Sequence, residues 1–208
     1  VLTYSYDAQG QVNQIDMTFE GQTQTLISNV QYQPFGGVES LSYGNGLNLN
    51  RTFDLDGRLA TQTVTGNETI QDLSWGYNLV SSVDVLDNLL NNTLSQSFDY
   101  DELDRLSMAQ TDASFYGLLG FDYDANGNRT QLDDNSQLTD YNINTSSNQI
   151  DEATGAQAQD LQYDAKGNIT QRTLNGHTYE YIYNQQNRLK QIDKNGSLVA
   201  TYDYNGLG

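Results

Sequence analysis

The sequence predicts an all-β protein, an array of antiparallel β-hairpins repeated from end to end. Three observations predict it. A seven-residue phrase (aromatic, Asp or Asn, two variable residues, Gly, Asn or Asp, a polar residue, an apolar residue) returns ten times, at intervals of about twenty residues. Turn signals recur about every ten residues, and the segments between them alternate apolar and polar positions. Self-similarity at a fixed period implies one supersecondary unit used repeatedly, each copy burying its apolar side against its neighbours.

The clearest copies begin at Tyr6-Asp7 with Gly10, Phe53-Asp54 with Gly57, Tyr100-Asp101 with Asp104, and Tyr163-Asp164 with Gly167. Tyr123-Asp124 with Gly127 and Tyr183-Asn184 with Asn187 fit as well. Weaker copies start at Tyr32, Tyr77 and Tyr141, and a last one at Tyr204 runs into Gly208. In each phrase the Asp or Asn can accept a hydrogen bond from the backbone two residues on, and the Gly or Asn tolerates positive φ, so the phrase reads as a turn.

Other turn signals stand between the phrases: Glu20-Gly21, Asn45-Gly46, Gly66-Asn67, Asn175-Gly176 and Asn195-Gly196. Alternating turns with β-branched and aromatic text between them predict hairpin-linked strands. Leu2, Tyr4 and Tyr6 share one strand face, as do Tyr179, Tyr181 and Tyr183, with Tyr202 and Tyr204 repeating the pattern. A ladder of stacked aromatics is the expectation. Asp84 to Ser97 reads as a loop that could hold a turn of helix, and Asp133 to Asp160 as long polar loops. The repeat runs through residues 1–208 without a linker, so one continuous array of about ten copies is expected, cut from a longer polypeptide at both ends.

Composition narrows the function. Hydrophobic residues make up 36% of the 208, against a globular norm of about 45–50%, which predicts a thin core. The net charge of −18 repels a phosphate backbone and argues against nucleic-acid binding. There is no Cys for disulfides or thiolate sites, and no apolar run approaches a membrane span.

Candidate chemistry is sparse. Asp122, Asp124, Asn126, Asn128 and Asp133 fit the oxygen-ligand spacing of a calcium loop, with Asp where the bidentate Glu would stand. Against this, the phrase already accounts for Asp124 and Gly127, and strands rather than helices are expected on either side. His177 is the only histidine and sits beside a turn. The acidic pairs Asp133-Asp134 and Asp151-Glu152 are expected in loops, not across a cleft as glycoside hydrolysis needs. No catalytic residue and no cofactor site is assigned. Arg58, Arg105 and Arg188 recur at one phrase position and are expected to tie adjacent turns by charge-assisted hydrogen bonds.

The Tyr-Asp-x-x-Gly phrases, together with Val30-Gln31-Tyr32-Gln33-Pro34-Phe35-Gly36, Phe121-Asp122-Tyr123-Asp124-Ala125-Asn126-Gly127-Asn128-Arg129 and Gly176-His177-Thr178-Tyr179-Glu180-Tyr181, resemble the YD repeats of the Rhs family. That wording also occurs in the B and C shell subunits of Tc toxins and in teneurins. The resemblance covers essentially the whole chain. It implies a strip of strands spiralling into a hollow β-shell, of which this chain would be a section. It implies partners as well: the rest of the parent polypeptide and an enclosed C-terminal cargo, in a secreted or cell-surface bacterial protein. The family's aspartyl self-cleavage segment has no counterpart, since Pro34 is the only proline. The expected function is therefore a non-enzymatic structural module. The alternatives are an extracellular adhesion or glycan-binding wall and a subunit that self-associates through open sheet edges into a fibre or tube.

Overall fold

The computed structural model describes residues 1–34 and 36–206, whose regular structure is β-strand apart from one short 3₁₀ turn. The chain divides into two compact units, Val1–Tyr116 and Gly117–Gly208. The first holds β1 (Leu2–Tyr6), β2 (Val12–Phe19), β3 (Gln22–Tyr32), β4 (Val38–Tyr43), β5 (Asn48–Phe53), β6 (Leu59–Thr65), β7 (Thr69–Tyr77), β8 (Val83–Asn88), β9 (Gln96–Tyr100) and β10 (Leu106–Gln110). The second holds β11 (Leu118–Tyr123), β12 (Arg129–Asp134), β13 (Gln137–Ile143), β14 (Ile150–Gly155), β15 (Gln159–Tyr163), β16 (Ile169–Leu174), β17 (His177–Tyr183), β18 (Leu189–Lys194) and β19 (Ser197–Thr201). Within each unit consecutive strands pair antiparallel, so each is a simple meander.

A meander places alternate turns on opposite margins, and the sequence uses a different turn on each. Phrase turns follow the odd-numbered strands. In the first, Gly10 N–H donates to Asp7 O at 3.1 Å and Asp7 N–H to Gln11 O at 2.8 Å, and the fifth phrase residue takes positive φ. That residue is Gly10, Gly57, Gly127 or Gly167 at φ 78–87°, and elsewhere Ser81, Asp104 or Asn187 at 59–69°. Each phrase turn ends in a bulge, so that Tyr6 opposes Val12 and Tyr183 opposes Leu189. On the other margin, Glu20-Gly21, Asn135-Ser136, Asn175-Gly176 and Asn195-Gly196 each carry positive φ at both residues, the type I′ geometry whose twist suits a two-residue hairpin.

The core is thin. Among the described residues, Val30, Leu49 and Ala109 are the buried apolar ones of the first unit. In the second, Leu132, Tyr141 and Ala153 cluster with Phe121, Ile143 and Ile150 around them. Thr139 is fully buried there, its hydroxyl accepting from the Gln157 amide at 3.1 Å.

Three expectations are corrected. Asp133 to Asp160 is not loop: β13 and β14 cross it, β13 following β12 through the Asn135-Ser136 turn and leading to β14 through a turn at Asn144–Asn148. Its solvent-facing strand positions are mostly polar (Asp140, Asn142, Glu152, Thr154) and its inward ones include Thr139 and Ala153, which hid the period-two signal. The copy placed at Tyr141 begins two residues later: Ile143 takes the aromatic position opposite Ile150, and Tyr141 is a core residue. Within Asp84 to Ser97, β8 extends to Asn88, and a single 3₁₀ turn at Asn92–Leu94 follows, capped by the Asn91 side chain. The end of the last phrase, Leu207 and Gly208, lies outside the described residues.

Candidate functional site

The repeated phrase is the feature that the structure reuses, and in seven copies its turn is built by the same contacts. The Asp or Asn carboxyl or amide oxygen accepts two backbone N–H groups of its own turn. Asp54 takes those of Asp56 and Arg58, Asp101 those of Leu103 and Arg105, Asp124 those of Asn126 and Asn128, and Asp164 those of Lys166 and Asn168, all at 2.9–3.0 Å. Asp7, Asn78 and Asn184 do the same. A side chain thus satisfies amides that the turn leaves without strand partners.

The second carboxylate oxygen has its own donor. At Asp54 and Asp101 it accepts from the guanidinium of Arg58 and Arg105, with N–O distances of 2.7 Å. At Asp124 and Asp164 it accepts from the carboxamides of Asn128 and Asn168 at 2.9 and 2.8 Å. These donors hold the carboxyls below the usual range. The Arg105 backbone amide dominates at Asp101, the Asn128 carboxamide at Asp124 and the Asn168 carboxamide at Asp164. At Asp54 partial burial pushes upward, and the amide and guanidinium of Arg58 outweigh it.

The phrase aromatic supplies what the sequence did not reveal, a bond from one repeat to the one before. Tyr32 Oη donates to Val12 O at 2.8 Å, Tyr77 to Leu59 O at 2.8 Å and Tyr100 to Val83 O at 2.6 Å. Tyr163 donates to Ile150 O at 3.0 Å, Tyr183 to Ile169 O at 3.1 Å and Tyr204 to Leu189 O at 2.6 Å. Every acceptor is the carbonyl of the apolar residue that closes the preceding phrase. Burial pushes the phenols of Tyr100, Tyr163 and Tyr183 up, so they stay protonated donors at neutral pH.

This hydroxyl clamp replaces the expected stacking ladder. Successive phrase rings stand two strands apart, about 10 Å, beyond the ~4.5–7 Å of ring–ring contact. Cations fill part of the gap. Arg58 lies 4.6 Å from the centre of the Tyr77 ring and donates to Ser81 of the next turn, so it does tie neighbouring turns. Arg188 lies 4.5 Å from the centre of the Tyr204 ring and also donates to Gln186. Its Nε is buried without a partner because Asn184 stands where an Asp would accept it. The signal that could have revealed the clamp is the preference for Tyr over Phe: only the Phe53 copy lacks the hydroxyl among the clear ones.

The five calcium-loop residues do not converge. Asp124, Asn126 and Asn128 share one turn, but their side chains are engaged with that turn and with Asn148. Asp122 lies in β11 opposite Gln131, and Asp133 sits at the far end of β12 accepting from Ser136, about 13 Å along the strand from Arg129. No group of three acidic or His side chains among the described residues has metal-ligating spacing. His177 begins β17 and its Nδ1 meets Asn195 Nδ2 at 3.0 Å, beside an exposed turn. Asp133-Asp134 and Asp151-Glu152 lie in strands β12 and β14, not in loops, so members of each pair point to opposite sheet faces.

No family model and no curated protein matches the chain. Solved structures do. The crystal structure of TcdB2-TccC3-Cdc42 aligns with a TM-score of 0.63 at 18% identity, over 93% of this chain and 12% of that one. The TcdB2-TccC3 crystal structure aligns equally well over 93% and 13%, and the Photorhabdus luminescens Tc holotoxin pore carrying TccC3-D651A over 92% and 12% at 19% identity. The chain therefore spans about an eighth of the length of these structures. The Tyr-Asp phrase, its capped turn and the carbonyl clamp belong to a chain with the fold of the Rhs/YD-repeat shell seen in Tc toxins.

Proposed function

We propose that this chain is a non-enzymatic section of a YD-repeat β-shell, a wall that encloses or presents a polypeptide within a larger secreted or cell-surface protein. The clamp carries this reading. In each unit the phrase residues are committed to their own turn and to the previous repeat, which is the requirement of a wall extended by adding identical hairpins. The Tc toxin structures, whose shells share the fold, support the same role. Glycan recognition would call for exposed rings with free hydroxyls, whereas most phrase rings are half-buried and donate to carbonyls. Edge-to-edge assembly draws on β1 and β19. Among the described residues β1 pairs only with β2 and β19 only with β18, and Leu2, Tyr4 and Tyr6 are exposed.

Limited proteolysis of the parent polypeptide tests the wall. A segment shielded by an intact wall resists cleavage until Gly155→Ala breaks it. Equal cleavage of that segment with and without the substitution would remove the encapsulating role. Fibres of the isolated chain under the electron microscope would favour edge assembly instead.

A further inference from the structure

Five Asn-Gly pairs occur in the sequence, and the four that join consecutive strands are held very differently: Asn45-Gly46, Asn126-Gly127, Asn175-Gly176 and Asn195-Gly196. An Asn-Gly pair can rearrange without any enzyme. The deprotonated glycine amide nitrogen attacks the Asn Cγ, the new C–N bond closes a five-membered succinimide, and the Cγ–Nδ2 bond breaks with loss of ammonia. Water then opens the ring. Cleavage at the former side-chain carbonyl gives Asp, and cleavage at the backbone carbonyl gives isoaspartate, with the main chain rerouted through Cβ. The net reaction consumes one water and releases one ammonia. It requires a glycine N–H that is not donated elsewhere and a carboxamide free to rotate onto it.

Three of the four pairs fail one requirement. Gly46 N–H donates to Tyr43 O at 3.0 Å, and Gly127 N–H to Asp124 O at 3.1 Å, each as part of a tight turn. Asn195 has its carboxamide fixed at both ends: Oδ1 accepts from Thr178 N–H at 2.9 Å, and Nδ2 meets His177 Nδ1. Asn45 and Asn126 are held by their side chains too, the first accepting from Leu47 N–H and the second donating to Asn148. At Asn175-Gly176 neither group is engaged. The pair forms the type I′ turn between β16 and β17, with φ of 50° and 74°, and both residues are exposed. A central glycine N–H in such a turn points away from the two strands and donates to water.

We infer that Asn175 is the spontaneous modification site among the hairpin turns of this protein, converting to isoaspartate and Asp while the chemically identical pairs at 45, 126 and 195 are protected by the fold. Each conversion adds one negative charge beside β17 and, in the isoaspartate product, one backbone methylene to a two-residue turn. A type I′ hairpin fixes strand register through its loop length, so the longer loop loosens the Leu174–His177 end of the pairing.

The experiment is incubation of the intact chain at mildly alkaline pH below its melting temperature, with peptide mapping for isoaspartate over time. A parallel sample in urea supplies the intrinsic rates. In urea the four pairs should react within about threefold of one another; in the folded chain position 175 should outpace the other three by at least about tenfold, a barrier difference of ~1.4 kcal/mol. Gly176→Ala should slow position 175 in both samples. His177→Ala, which releases Asn195 Nδ2, should speed position 195 only in the folded chain. Comparable folded-state rates at 175 and at any of 45, 126 or 195 would overturn the assignment.

Discussion

The two units share their margins and differ on their polar faces. In both units the phrase margin is built from the same capped turn and the same tyrosine clamp, with Tyr77 and Tyr100 in the first unit and Tyr163 and Tyr183 in the second. The face opposite the phrase aromatics is another matter. In the first unit its acids, Asp16, Asp72, Asp87 and Asp99, stand opposite uncharged residues, among hydroxyl and amide groups. Thr52 meets Thr61, Thr18 meets Thr23, Ser42 donates to Asn48, and Asp16 is neutralised in part by Thr25 and Gln14. In the second unit the paired positions of that face hold Asp122, Asp133, Asp140, Glu152, Asp160, Glu180 and Asp193 and no Lys or Arg. Two acidic pairs stand directly opposite each other, Glu152 with Asp160 and Glu180 with Asp193. Like charges in that position are destabilising. The fold is thus specified at the margins, and the face tolerates composition that works against stability.

Acid should act on the phrase margin of both units alike, and its effect is the largest expected. Asp54, Asp101, Asp124 and Asp164 have carboxyls held below their ordinary value, so the stability that they supply is fully present above the unfolded Asp value of about 3.9. It is lost as pH falls through the lower folded value. A melting temperature that drops steeply below about pH 4 is expected, and a flat profile down to pH 2 would show that the caps contribute nothing.

Single glycines come next, one in each unit. A Cβ at Gly44 would stand 1.9 Å from Thr25 O, and at Gly155, where φ is +93°, 2.2 Å from Leu138 O. The obstacles are backbone atoms and cannot rotate away. Gly44→Ala and Gly155→Ala should each cost about 3 kcal/mol in urea unfolding, whereas Ala at Gly66, which meets only the Leu47 side chain, should cost less.

The polar faces then separate the units. Glu180→Lys should stabilise by ~0.5 kcal/mol by turning a repulsive cross-strand pair attractive, and the gain should shrink in high salt. Thr63→Lys in the first unit faces Asp72 with no opposed acid pair to relieve and should gain less. Asn184→Asp is the smallest change: it would give Arg188 Nε the acceptor that Asp54 gives Arg58, and a rise of a few tenths of a kcal/mol is expected.

The margins were legible in the sequence and the face was not. Asp7, Asp54 and Gly57 announce their turn because only an Asx cap and a residue tolerant of positive φ make it. The type I′ turns at Asn175 and Asn195 were equally plain, while Asn135-Ser136 was missed because Ser is seldom read as a positive-φ residue. Strands β13 and β14 were hidden because their outward positions are Asp, Asn, Thr and Glu, and their inward ones include Thr139 and Ala153. The clamp was invisible for a different reason. A tyrosine hydroxyl finds its acceptor at the start of the preceding strand, 13 to 20 residues back, at a separation that no local pattern encodes. The calcium spacing was legible and misleading, since an extended β12 carries Asp133 away from the turn that a helix-flanked loop would have kept near.

The central claim is that the tyrosine clamp at the margin, and not the sheet face, holds neighbouring repeats together. Equilibrium urea unfolding of Tyr183→Phe beside the triple substitution Asp160→Asn, Glu180→Gln, Asp193→Asn tests it most directly. The ring and its packing survive in the first, and only one hydrogen bond is lost. Tyr183→Phe should lower stability by ~1 kcal/mol and the triple variant should hold or gain. An unaffected Tyr183→Phe protein together with a destabilised face variant would contradict it.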